Sequence, residues 1–202
     1  MSELIEDRVT GILNGVPEFV WDGETLPVPV EDIVDSVFGL RVRVVDDMSA
    51  ASGVSGPVPA HLSGLLLTGP GEIWVNAEEA RQWPGRRRFT ISHELGHWVM
   101  HRTGQEAVFC RSGVIDPEPV AEPVAGTGGP DAAAPAVEIP PAEAEADLFA
   151  ASMLMPAHLV EAHYEKAGGD IALLKEQFLS SEKAMKRRVR DVVPEDRWRS
   201  PL

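Results

Sequence analysis

Two histidines four residues apart, His93 and His97, bracket Glu94 in the run His93-Glu94-Leu95-Gly96-His97. On an α-helix residues four apart share a face, so both imidazoles reach toward one point, while Glu94 stands about 100° round the axis from His93. Such a pair of nitrogens can hold a zinc ion, and the neighbouring carboxylate can take a proton from water at the open coordination position. Catalytic zinc ordinarily takes a third protein ligand. Glu143-Ala144-Glu145-Ala146-Asp147 offers one: Glu143 is the expected ligand, and Asp147, on the same helical face, is the expected acceptor for the outer N–H of a ligating histidine. Glu145 competes for the ligand role, but it lies about 200° round the helix, and the spacing to Asp147 favours Glu143.

Two helices must present these side chains. Phe89, Ile91, Leu95, Trp98, Val99 and Met100 gather on one face only as a helix, which begins near Arg86 and meets no break before Gly104. Gly96 inside it costs about 1 kcal/mol relative to Ala. Its use is close approach to a second helix, which starts at Glu143 and is kept slim by Ala146, Ala150 and Ala151 before Met155-Pro156 stops it. Upstream, residues 29–39 read as a helix with Pro at its start and Gly at its end, and Leu40 to Val45 as a strand with one wet face. Leu65-Leu66-Leu67 and Ile73-Trp74-Val75-Asn76 flank Thr68-Gly69-Pro70-Gly71 as a hairpin. Further helices are expected over about 157–167, 170–178 and 181–192, and residues 1–15 read as a short amphipathic helix of unassigned role.

The expected architecture is therefore α+β: a small antiparallel sheet packed on the His-Glu-x-x-His helix, with a helical C-terminal half. The divisions are an N-terminal extension at 1–24, sheet and motif helix at 25–112, an insertion at 113–141, the helical half at 142–193 and a tail at 194–202. The insertion holds seven of the 17 prolines with Gly126, Gly128 and Gly129, a composition that buries too little apolar surface to order itself.

Composition narrows the partners. Among 202 residues, 18 Lys and Arg against 32 Asp and Glu leave a formal charge of −14, the wrong sign for a general polyphosphate binder. One cysteine, Cys110, excludes an internal disulfide and a thiolate zinc cage. Neither a signal pattern nor a bilayer-length apolar run is present, so a soluble cytoplasmic protein without membrane contact is expected.

The stretch from Arg88 to His97, followed by Glu143 to Pro156, resembles the ImmA/IrrE family of zinc metallopeptidases, itself similar to thermolysin-like enzymes in pairing His-Glu-x-x-His with a downstream Glu-x-x-x-Asp. Weaker similarity runs through 29–45, the strand at 73–76 and Phe178 to Val189, about 160 residues in all. Asp147 stands where many relatives carry Asn, which keeps the acceptor and adds a charge. The resemblance implies a Zn2+ endopeptidase that cuts a regulatory protein, typically a helix–turn–helix repressor, with Glu94 as general base and His93, His97 and Glu143 on the metal.

Other residues carry less. His158, His163 and Tyr164 are open candidates for a second oxyanion donor. His101 would sit about 12 Å along the axis from His93, too far to share the ion, and reads as packing or cleft edge. His61 reads as a loop residue, Cys110 as a buried apolar group, and Arg86-Arg87-Arg88 as a solvated helix flank. Residues 175–199 hold eight of the 18 basic residues against five acids. An ordinary packed helix pair with a basic outer face is preferred there over a DNA-reading helix–turn–helix. The rival to an enzyme is a metal-stabilised regulator that binds a protein, or DNA through those helices, without cutting.

Overall fold

Short local signals set the elements of the computed structural model, which describes residues 2–51, 62–102, 107–111 and 140–198. Helix α1 covers Ser2–Asn14 and buries Ile5, Val9 and Leu13, three residues at a spacing of four that line one face, while Leu4 stays exposed. Helix α2, Val30–Phe38, has Glu31 and Asp32 in its first turn and ends at Gly39, whose φ of 64° closes the helix in the left-handed region. Strand β1, Arg41–Val45, follows. Strands β2, Leu62–Leu67, and β3, Glu72–Asn76, form the hairpin expected from the sequence, and Asn76 then caps α3, Ala77–Gln82, by accepting from the amides of Glu78 and Glu79.

Helix α4, Pro84–Met100, carries the His-Glu-x-x-His motif and has proline in its first turn, where no amide donor is needed. Strand β4, Ala107–Arg111, and helices α5, Pro141–Leu154, α6, Ala157–Lys166, α7, Ile171–Phe178, and α8, Glu182–Val192, complete the order. Asp170 and Ser181 accept from the first-turn amides of α7 and α8. Helix α5 begins at Pro141, two residues before the start expected at Glu143. The expected insertion otherwise falls outside the described residues, as does His61, and of Cys110 only the backbone is described.

The sheet runs β1-β3-β2-β4. The β3–β2 pair is antiparallel as expected, and β4, a strand not expected from the sequence, pairs antiparallel with β2; β1, however, lies parallel to β3, with Arg41 opposite Glu72 and Val45 opposite Asn76, so one edge of the sheet is mixed. On that edge Val44 is exposed rather than turned inward. Arg41 and Arg43 instead reach Glu72 across the pair, each at 3.4 Å, and the Trp74 indole N–H donates to Glu72 at 2.8 Å.

Alternation along β2 and β3 splits the core between two faces. Leu66, Ile73 and Val75 join Ile91 and Leu95 of α4 and the helical core, whereas Leu65 and Leu67 pack with Met48 and Ala51 behind the sheet. Helix α1 belongs to the larger core and packs on α5. Arg188 of α8, 2% exposed, fixes that end: it donates to Glu6 of α1 and, at 2.8 Å, to the carbonyl of Met155. The three arginines at the start of α4 also differ from a solvated flank. Arg86 pairs with Glu79 at 3.0 Å, Arg87 with Glu31 at 2.5 Å, and Arg88 donates to the Val28 carbonyl at 2.7 Å, so they tie α4 to α2, α3 and the loop before α2.

Candidate metal centre

Helix α4 lies between the sheet and α5, and its turns from Thr90 to His97 are buried without interruption. Two glycines let its neighbours come close. A Cβ on Gly96 would stand 3.2 Å from Ala146 Cα and 3.2 Å from Phe149 Cβ, so α5 rests directly on the motif helix. A Cβ on Gly64 of β2 would stand 2.3 Å from Thr90 Cγ2 and 3.0 Å from Glu94 Oε1, so the strand backbone rests on the other side. Glu94 is thereby enclosed, with 0% of its surface exposed.

The α4–α5 contact brings His93, His97 and Glu143 together. Nε2 of His93 lies 3.0 Å from Nε2 of His97, and the Glu143 carboxylate lies 3.2 Å from the first and 3.3 Å from the second. Tetrahedral zinc with bonds of about 2.0–2.2 Å needs ligand atoms about 3.4 Å apart, so these three separations suit one small divalent ion. The donor set suits it too, since two imidazole nitrogens and one carboxylate oxygen are what hydrolytic zinc sites use. Asp147 Oδ1 lies 2.9 Å from His93 Nδ1. The carboxylate accepts that N–H, so the His93 hydrogen sits on Nδ1 and the Nε2 lone pair faces the cluster. Burial opposes ionisation of Glu143, but hydrogen bonds and charge from His93 and His97, when those rings carry a proton at Nε2 in place of a metal ion, outweigh it and pull its pKa down to about 2.

The remaining candidates separate. Tyr164 is buried in the helical core, His163 Nδ1 is bonded to Gln177 at 3.0 Å, and His158 lines a surface hollow with Asp22, Thr25 and Lys166. All three lie on α6, which packs on α7 and α8. His101, expected as packing or cleft edge, meets His97 at 3.1 Å and Glu145 at 2.9 Å. These partners of His101 and the place of Gly64 beside the site are what the sequence reading missed. The repeat His93, His97, His101 along one helical face was the available signal for the first, and a glycine inside an apolar strand for the second.

An α+β fold whose buried motif helix meets a Glu-x-x-x-Asp helix in this way defines a metallopeptidase-like protein. Residues 63–190 match the peptidase M78 family, described as the IrrE N-terminal-like domain, and the chain belongs to that family. A transcriptional regulator of Mycobacterium tuberculosis shares the fold with a TM-score of 0.53 at 15% identity, over 98% of this chain and 48% of the regulator. The chain thus spans about half the length of that protein. No curated protein matches. No helix among the described residues is long and apolar enough to cross a membrane.

Proposed function

We propose that the protein is a zinc-dependent endopeptidase that cleaves a regulatory protein, a DNA-binding helix–turn–helix repressor being the expected substrate. The observation that carries this reading is the convergence of His93 Nε2, His97 Nε2 and the Glu143 carboxylate within 3.0–3.3 Å of one another, next in sequence to the enclosed Glu94. His93, His97 and Glu143 would hold the ion, and Asp147 orients His93. Zinc bound there supplies Lewis acidity, which polarises the scissile carbonyl and makes water acidic near neutral pH. Glu94 takes the proton from the attacking water and delivers it to the leaving amine nitrogen. Its enclosure against β2 keeps bulk water from competing for that carboxylate and fixes its direction.

Charge supports a basic substrate. A chain at −14 attracts a DNA-binding protein and repels the DNA itself, which favours encounter with a repressor away from its operator. The resemblance to a transcriptional regulator agrees with a regulatory setting. The deciding experiment incubates the zinc-loaded protein with candidate repressors, those encoded next to its own gene first, alongside the Glu94→Gln variant. Cleavage by the wild type, lost in a variant that still binds one zinc, supports the enzyme.

One observation favours a second reading. Lys183, Arg187 and Arg190 are exposed and fall on one face of α8, behind the tight turn from α7. A non-catalytic regulator would use that face to bind DNA, and would show salt-sensitive binding without any cleavage.

A further inference from the structure

His97 has a partner on its far side. Its Nδ1 lies 3.1 Å from Nδ1 of His101, whose Nε2 lies 2.9 Å from Oε2 of Glu145. A carboxylate only accepts hydrogen bonds, so the hydrogen at that end sits on His101 Nε2. A neutral imidazole protonated at Nε2 has a lone pair at Nδ1, and this can only accept, so the hydrogen between the two rings belongs to His97 Nδ1. His97 Nε2 is then left as a lone pair turned toward His93 and Glu143.

The geometry points to His101 and Glu145 as positioning residues that hold His97 in its metal-binding tautomer, as Asp147 does for His93. The proposal rests on the metal-site reading above. The backbone is built for the relay: the His101 amide donates to the His97 carbonyl at 2.9 Å at the end of α4, which fixes the two rings one turn apart. Side-chain exposure rises outward, from 1% at His97 to 20% at His101 and 26% at Glu145, so the last carboxylate keeps contact with solvent while the ligand end stays dry. Helix α5 thereby supplies three carboxylates with three separate tasks: Glu143 faces both Nε2 atoms, Asp147 the outer nitrogen of His93, and Glu145 the outer nitrogen of the relay.

The test measures zinc affinity by chelator competition in the full chain, together with 15N NMR of the imidazoles in the zinc-loaded protein. His101→Leu removes the acceptor, and His101→Asn restores one, because its Oδ1 is attached to the same carbon that carries Nδ1 in histidine. Zinc affinity is expected to fall about tenfold or more in His101→Leu and to stay near wild type in His101→Asn. A slowly exchanging His97 Nδ1–H signal is expected in the wild type and lost in His101→Leu. Glu145→Ala, which frees His101 to adopt its other tautomer, should weaken zinc binding as well. Thermal unfolding of the metal-free proteins checks that each variant folds, which His101 on the rim allows. Unchanged affinity in His101→Leu overturns the relay, and so does an equal loss in His101→Asn, which would mark His101 as a mere fastener between α4 and α5. A wild type that takes up no zinc overturns the metal-site reading and the relay together.

Discussion

At the scale of single residues, the site is a problem of aiming acceptor atoms. His93 and His97 present lone pairs inward because their outer nitrogens are engaged, the first by Asp147 at 2.9 Å and the second by His101 at 3.1 Å. Glu94 contributes no ligand atom to that cluster, so its replacement separates metal binding from chemistry. Glu94→Gln should keep one zinc per chain and lose turnover by about 100- to 10,000-fold, the usual contribution of a general base, as measured on a cleavable repressor. Gly64 sets the space around that carboxylate. Gly64→Ala must push back Thr90 and Glu94, and is expected to destabilise the protein by about 1–3 kcal/mol in urea unfolding and to lower kcat more than zinc affinity. His93 with His97, and Glu143 with Asp147, were legible as candidates because helical spacing places each pair on one face, and Glu94 because it stands next to His93 at the edge of that face. The task of His101 was not, because its partner Glu145 lies 44 residues away on another helix, and spacing within α4 carries no information about that neighbour.

Among elements, the decisive contact is α4 against α5. Gly96 against Ala146 and Phe149 shows that the cost of a helical glycine is offset by the approach it permits. Gly96→Leu should cost about 3 kcal/mol of stability and weaken zinc binding with it, since any repacking separates Glu143 from the two imidazoles; chemical unfolding and chelator competition read the two effects. The sequence periodicity announced both helices and the β2–β3 hairpin. It did not announce the parallel placement of β1, which depends on a non-local choice of neighbour, nor the partners of Arg86, Arg87 and Arg88, since a run of like charge looks the same whether it faces solvent or reaches Glu31 across 56 residues.

For the whole molecule, α1 and α8 are joined through a polar anchor within the helical core. Burial would raise the Glu6 carboxyl, but the hydrogen bonds and charge of Arg188, with help from Ser152, hold it below the ordinary glutamate value. A depressed folded-state value means that the contribution is complete at neutral pH, begins to fade as pH falls toward about 4.3, and is gone once pH drops below the folded value. Glu6→Leu, which leaves the Arg188 guanidinium buried without its carboxylate, should cost about 3 kcal/mol at pH 7 in urea unfolding. The gap between variant and wild type should narrow as pH is taken below 4. The amphipathic pattern of residues 1–15 was visible in the sequence, yet nothing in a stripe of apolar residues says which surface it covers, and the Glu6–Arg188 pair spans 182 residues.

The most direct test of the central claim is diffraction at the zinc absorption edge from crystals of the zinc-loaded protein. One anomalous peak per chain is expected, about 2.0–2.2 Å from His93 Nε2, His97 Nε2 and a Glu143 carboxylate oxygen. A protein that binds no zinc, or one whose zinc peak lies away from those three atoms, would contradict the account.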